Sequence, residues 1–120
     1  MKALSILIVD NNRSNLEQLA RQLEEEGYTV IGASSLEEVD TAILQKDEIR
    51  LALLDISGFD DSIWERCDRM REARIPFIVI MPQRSPGIQR DSMKHGANGL
   101  LVKPLSRKEL AEHIRAALGE

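Results

Sequence analysis

The chain has 120 residues, 42% of them hydrophobic and 30% charged, which is enough for one soluble domain with its own core. A formal net charge of −4 argues against a nucleic-acid surface, which needs a cationic face to neutralise phosphates. The single cysteine, Cys67, excludes an internal disulfide framework and a thiolate metal cluster, and 3% aromatic content leaves the core to Leu, Ile, Val and Ala.

Ser5-Ile6-Leu7-Ile8-Val9 is a continuous apolar run without period-two alternation, the pattern of a strand buried on both faces, and it runs straight into Asp10. After Asn11-Asn12, Leu16, Leu19 and Leu23 recur at helical spacing between polar residues, and Gly27 supplies the stop. That Leu stripe reads as core. Tyr28 to Ala33 predicts a second strand, and Ser34 or Ser35 caps a second helix with Glu37-Glu38 at its positive end and Val39, Ala42 and Ile43 facing inward. Leu51-Ala52-Leu53-Leu54-Asp55 is the third strand, again buried on both faces and again closed by a carboxylate.

The turn Ser57-Gly58-Phe59-Asp60-Asp61 leads into a helix from Ser62 to Ala73, with Ile63, Cys67 and Met70 on its inner face. Arg66, Arg69, Arg71 and the following Arg74 alternate with Glu65, Asp68 and Glu72 at spacings that allow pairing along a solvated face. Pro76 to Met81 is the fourth strand, cut off by Pro82; Pro86 to His95 predicts a short, weakly amphipathic helix ending at Gly96. Gly99 to Pro104 is the fifth strand and its exit. Ser106 begins the last helix, with Glu109 at capping-box spacing and Leu110, Ile114 and Ala117 or Leu118 inward. Cys67 reads as a small buried hydrophobe, His95 as a helix-end residue beside the dipole, and His113 as a surface residue.

Five strands alternating with five helices imply an α/β fold with a parallel, doubly wound sheet and right-handed crossovers, one domain over residues 1–120. No glycine-rich phosphate loop follows the first strand, so dinucleotide and P-loop binding are disfavoured. The longest apolar stretch near the start, Ile6–Val9, is too short for a signal sequence or a membrane span, and a reducing cytoplasm is the expected location. The chain stops just after the last helix, which fits a free-standing domain or a piece of a longer protein.

Asp10-Asn11, Asp55 and Lys103 all stand at carboxyl ends of strands, where ligands collect in open parallel sheets. With the first strand central, these ends converge. Carboxylates side by side repel unless a cation joins them, and Mg²⁺ prefers few carboxylates, oxygen ligands and several waters. A lysine beside them supplies positive charge for a phosphoryl group. Asp, Mg²⁺ and Lys together describe a phosphoryl acceptor.

With Ile6-Leu7-Ile8-Val9-Asp10-Asn11, Leu53-Leu54-Asp55 and Gly96-Ala97-Asn98-Gly99 before Lys103-Pro104, the whole chain resembles a receiver domain of the two-component response regulators, with the flavodoxin-like fold typified by the chemotaxis response regulator. The resemblance implies strand order 2-1-3-4-5, Asp55 as the phosphorylated aspartate, Asp10 and Asn11 as the metal pair, Ser57 as a carbonyl ligand and Lys103 as the charge partner. The Lys103-Pro104 bond is often cis in that family. It further implies a sensor histidine kinase or phosphotransfer protein as phosphodonor, an effector on the surface of the fourth helix, fifth strand and fifth helix, and allows a homodimer.

The chain departs from the family pattern in four places. Asn11 replaces the usual second acid, removing one charge and predicting weak Mg²⁺ binding. Met81 and Pro82 stand where the family has Thr or Ser and a small residue; Met has no donor and proline no N–H. A hydrogen bond to a charged group is worth about 1.5–3 kcal/mol, so losing one in the active state weakens a two-state switch about tenfold or more. Leu100 replaces the usual switch aromatic, and Gly58-Phe59 replaces the Met-Pro pair common after the acceptor.

Two functions remain in view: a receiver accepting a phosphoryl group on Asp55 with a non-standard switch, and a degenerate receiver that binds a partner without phosphorylation. Asp10 and Lys103 favour the first reading of Asp55 over a structural acid, although an ion-pair network would look the same in sequence. An aspartate-nucleophile phosphohydrolase would need a second acid two residues after Asp55, where Ser57 stands.

Overall fold

The computed structural model describes residues 4–120. Five strands, β1 (Ser5–Val9), β2 (Thr29–Ala33), β3 (Ile49–Asp55), β4 (Phe77–Met81) and β5 (Gly99–Val102), alternate with α1 (Arg13–Glu25), α2 (Leu36–Ile43), α3 (Ile63–Glu72), α4 (Pro86–Lys94) and α5 (Arg107–Ala117). The strands pair in parallel in the order β2-β1-β3-β4-β5 expected from the sequence.

Every residue of β1 and β4 is buried, as is all of β3 except Arg50, because helices cover both faces. Side chains alternate between two cores. Ile6, Ile8, Leu51, Leu53, Ile78, Ile80 and Leu101 face α1 and α5 through Leu16, Leu23, Leu110 and Ile114. Leu7, Val9, Ala52, Leu54, Phe77, Val79 and Met81 face α2 and α3 through Val39, Ala42, Ile63, Cys67 and Met70.

Ser35 and Ser106 are caps as the sequence predicts, and the structure adds Asn12 and Ser85. Asn12, Ser35, Ser85 and Ser106 each accept a backbone N–H with the side chain at the start of α1, α2, α4 and α5. Gly27 turns the chain out of α1 at φ +96°. At α2 the neighbouring serine is used as well: Glu38 accepts from the backbone N–H and hydroxyl of Ser34, which holds its carboxyl below the ordinary range.

Three features differ from the sequence reading. First, β3 starts at Ile49, two residues early, because a register shift lets Ser5 pair with Ile49, and a 3-10 turn at Lys46–Glu48 feeds it. Second, the arginines of α3 serve mainly another helix. Arg66 makes a two-pronged contact with Asp40 of α2 through Nε and Nη2, both at 3.0 Å, and Arg69 adds a bond of 2.9 Å. Among the described residues, pairing along α3 itself is limited to Arg71 with Asp68 at 3.9 Å and Arg66 with Glu65 at 3.7 Å. Third, His95 caps the C-terminus of α4, but its Nδ1 also sits 2.7 Å from Asp68 and its ring stacks on Trp64 at 5.3 Å between centroids.

Cys67 is fully buried, and burial pushes its thiol up to about 12. The thiolate is the reactive form, so a thiol reagent at mildly alkaline pH should label Cys67 only as fast as the protein opens. Intact-mass kinetics with and without urea check this, and rapid labelling of the folded protein would contradict it.

Candidate functional site

The register determines which polar groups meet. Val9 pairs with Leu54, so Asp10 and Asp55 leave adjacent central strands side by side at their carboxyl ends. This is the point between β1 and β3 where the order of a doubly wound sheet reverses. Both acids are buried, Asp10 at 6% and Asp55 at 3% exposure. Lys103 follows β5, and its Nζ reaches across the end of β4 to lie 2.5 Å from Asp55 Oδ2. The Lys103-Pro104 peptide bond is cis.

Each carboxylate also holds its own loop. Asp10 accepts the Asn12 N–H and Asp55 the Ser57 N–H, each at 2.9 Å, so both chains turn immediately after their acids. Burial raises the Asp10 carboxyl above its ordinary value of 3.8; the Asn12 N–H opposes this, the Asp55 charge adds to it, Lys103 opposes it, and a hydrogen bond with Asp55 adds to it again. Two buried acids with one ammonium carry an excess of negative charge, which a proton or a cation can offset.

The Asn11 amide leans over the β3–α3 loop. A Cβ on Gly58 would lie 2.9 Å from Asn11 Oδ1, and Gly58 holds φ +82°, so glycine is required both by the approach and by the backbone. The Asp10 and Asp55 carboxylates and the Asn11 amide are therefore oxygen donors around the start of two loops, with the Ser57–Gly58 peptide beside them. Two carboxylates with neutral oxygens suit Mg²⁺, which keeps several waters. Among the described residues no group of three or more His, Cys, Asp or Glu is arranged to hold a metal, so a cation here would have to rely on that mixed donor set.

The acids and Lys103 open into a cleft of about 610 Å³ between α1 and the loops after β4 and β5. Asn15, Gln18 and Gln22 line its α1 side, and sequence reasoning missed them. The available signal was their spacing of three and four residues, which puts the amides on one helical face. Pro82 and Pro104 line the opposite side. The Met81 side chain is absent from the cleft. It is 2% exposed and packs in the core shared with α2 and α3, against which Leu100 also packs, while its carbonyl accepts the Lys103 N–H at 2.9 Å.

Residues 6–115 match the profile of the response regulator receiver domain. The chain belongs to that family. It is 32% identical over 120 residues to the transcriptional regulatory protein YvrH of Bacillus subtilis and 33% identical over 118 residues to the transcriptional regulatory protein HprR of Escherichia coli. These matches cover 98% and 96% of this chain but 50% and 52% of the relatives, so the chain spans about half the length of the curated relatives it matches. Among solved structures, a CheY-like receiver domain protein from Methanospirillum hungatei superposes with a TM-score of 0.86 at 29% identity, covering 98% of this chain and 95% of that one. A two-component response regulator from Clostridium difficile superposes at 0.87 with 25% identity, covering 98% and 97%. Among the described residues, no helix of this receiver is long and apolar enough to cross a membrane.

Because Asp10 holds its proton more tightly in the folded state than in the unfolded chain, its favourable contribution is complete below about 3.8 and is lost as pH rises through the raised folded value. Above that value its charge is a net cost. Asp10→Asn should therefore raise the urea midpoint near neutral pH in a chelator-containing buffer, and the gain should shrink as pH falls towards 3.8. A midpoint that is lower or unchanged at neutral pH would contradict the assignment.

Proposed function

We propose that this receiver accepts a phosphoryl group on Asp55 from a sensor histidine kinase or a phosphotransfer protein, and that the receiver domain takes in residues 1–120. The observation that carries the reading is the Asp55–Lys103 pair at 2.5 Å beside Asp10, open to a cleft of about 610 Å³. An Asp55 carboxylate oxygen forms the new P–O bond, and the donor's P–N bond breaks with its electron pair remaining on the imidazole nitrogen. Lys103 then transfers its charge from the carboxylate to a phosphoryl oxygen, for which its 34% exposed side chain has freedom to move.

Asp10, Asn11, Asp55 and the Ser57 carbonyl are the oxygens proposed to hold Mg²⁺. When bound, Mg²⁺ offsets charge on the phosphoryl oxygens. With Asn11 in place of a second acid, binding is weak, and Asn11→Asp should tighten Mg²⁺ by about tenfold or more in a calorimetric titration. An unchanged affinity would remove Asn11 from the metal set.

The output is non-standard. Met81 and Pro82 offer no donor to a phosphoryl group, and Leu100 is apolar, so signalling to an effector on the α4, β5 and α5 face does not run through a hydroxyl and an aromatic. The same residues favour a second reading, a degenerate receiver that binds its partner through that face without phosphorylation. A cytoplasmic location and homodimerisation accord with either reading.

Incubation with acetyl phosphate and Mg²⁺ followed by intact-mass analysis separates the two. The first reading expects the mass of one phosphoryl group on the wild type, absent when a chelator replaces Mg²⁺ from the start and absent in Asp55→Asn. No gain in the wild type would sink it and leave the second.

A further inference from the structure

A second, smaller concavity lies on the α3–α4 flank, about 220 Å³ in volume, and neither Asp10, Asp55 nor Lys103 lines it. Its apolar walls include Phe59, Trp64, Pro82 and Ile88, so half of the chain's four aromatic residues meet at one surface site. Asp61, from the loop before α3, and Asp91, on α4, supply a carboxylate from each side, and no Lys, Arg or His lines the pocket.

The neighbouring acids have partners within the fold. Asp40 holds Arg66 and Arg69, Asp68 holds His95, and Asp60 accepts from Ser62. Asp61 and Asp91 make no ion pair or side-chain hydrogen bond among the described residues. Ser57 also lines this pocket, and its Oγ is the one buried side-chain polar atom without a hydrogen-bond partner among the described residues.

We propose that this pocket receives the arginine side chain of a partner protein. The charge is complementary: two unpaired carboxylates face a site without internal cations. A guanidinium is planar, lies well against aromatic rings, and carries enough N–H donors to serve Asp61 and Asp91 together, which a lysine ammonium with its compact, strongly hydrated charge does less well. The volume is below the roughly 300 Å³ at which drug-sized pockets begin, so one inserted side chain fits better than a cofactor. His95 stacks on Trp64 without lining the pocket, leaving the remainder of the indole for the guest. Ser57 stands two residues beyond Asp55 and Pro82 lines both the pocket and the acceptor cleft, so the guest would lie next to the phosphoryl-acceptor loops without entering the cleft.

Trp64 is the only tryptophan, so its fluorescence reports the pocket directly. The unphosphorylated protein, without Mg²⁺ or phosphodonor, is titrated with N-acetyl-arginine amide and with the neutral isostere N-acetyl-citrulline amide, while amide NMR shifts are followed. The expected result is a saturable response at Trp64, Ser57 and Asp91 for the arginine probe only. It should weaken about fivefold in each of Asp61→Asn and Asp91→Asn, as for exposed ion pairs, with unchanged urea midpoints. An equal response to citrulline, no saturable response, or full binding by the double variant would overturn the proposal. Tighter binding of free arginine than of the blocked amide would overturn the partner-protein source. None of these outcomes bears on whether Asp55 accepts a phosphoryl group, so the two readings fail separately.

Discussion

Two carboxylates buried side by side at the end of an apolar sheet need compensating charge, and the ammonium of Lys103 against Asp55 supplies it. Asp10 and Asp55 are brought together by backbone register, Val9 opposite Leu54, so they cannot move apart without unpairing the centre of the sheet. Lys103 is brought in by β5, through the Lys103 N–H bond to the Met81 carbonyl and the pairing of Val102 with Met81. The residual strain falls on Asp10, whose carboxyl is raised by burial and by its neighbour's charge. A fold stable in this state is one that a cation, a proton or a phosphoryl group at the same place would each alter.

The cleft beside Asp55 and the α2–α3 core lie on opposite sides of the end of β4. Ile80 and Pro82 line the acceptor cleft, while the intervening Met81 turns its side chain into the α2–α3 core. Alternation along β4 thus separates chemistry from packing by one residue. A hydroxyl at position 81 could bridge the two; a thioether buried among Val79, Ala97 and Leu100 belongs wholly to the packing.

The helices are held unequally. α2 and α3 share apolar core and are locked by Asp40 to Arg66 and Arg69. α4 buries only Ser92, whose hydroxyl donates to the Ile88 carbonyl, and relies on its cap, on partly buried Ile88 and on the His95 contacts to Asp68 and Trp64. An element with so little buried apolar surface is the part of the fold expected to open at least cost. Both the α4, β5 and α5 face and the pocket beside Trp64 border this element.

The order and type of elements, both core faces, the caps at Ser35 and Ser106, and the placing of Asp10, Asp55 and Lys103 at strand ends were all legible in the chain, because strand burial, helical periodicity and capping are local properties. Family likeness supplied the strand order, and with it the expectation that the trio converges. The pairings remained for the tertiary structure to decide. Arg66 keeps a longer contact to Glu65 on its own helix but makes its hydrogen bonds to Asp40, because α2 packs alongside α3 and a part-buried guanidinium takes the carboxylate that meets it two-pronged. His95 read as a dipole partner and met Asp68 and Trp64 through helix packing that no spacing in sequence encodes. Asn15, Gln18 and Gln22 became cleft walls, and Asp61, Asp91 and Ser57 one pocket, only once elements distant in the chain were set side by side. Local patterns determine which faces are buried; which charges meet depends on three-dimensional distance, and that is decided by the fold as a whole.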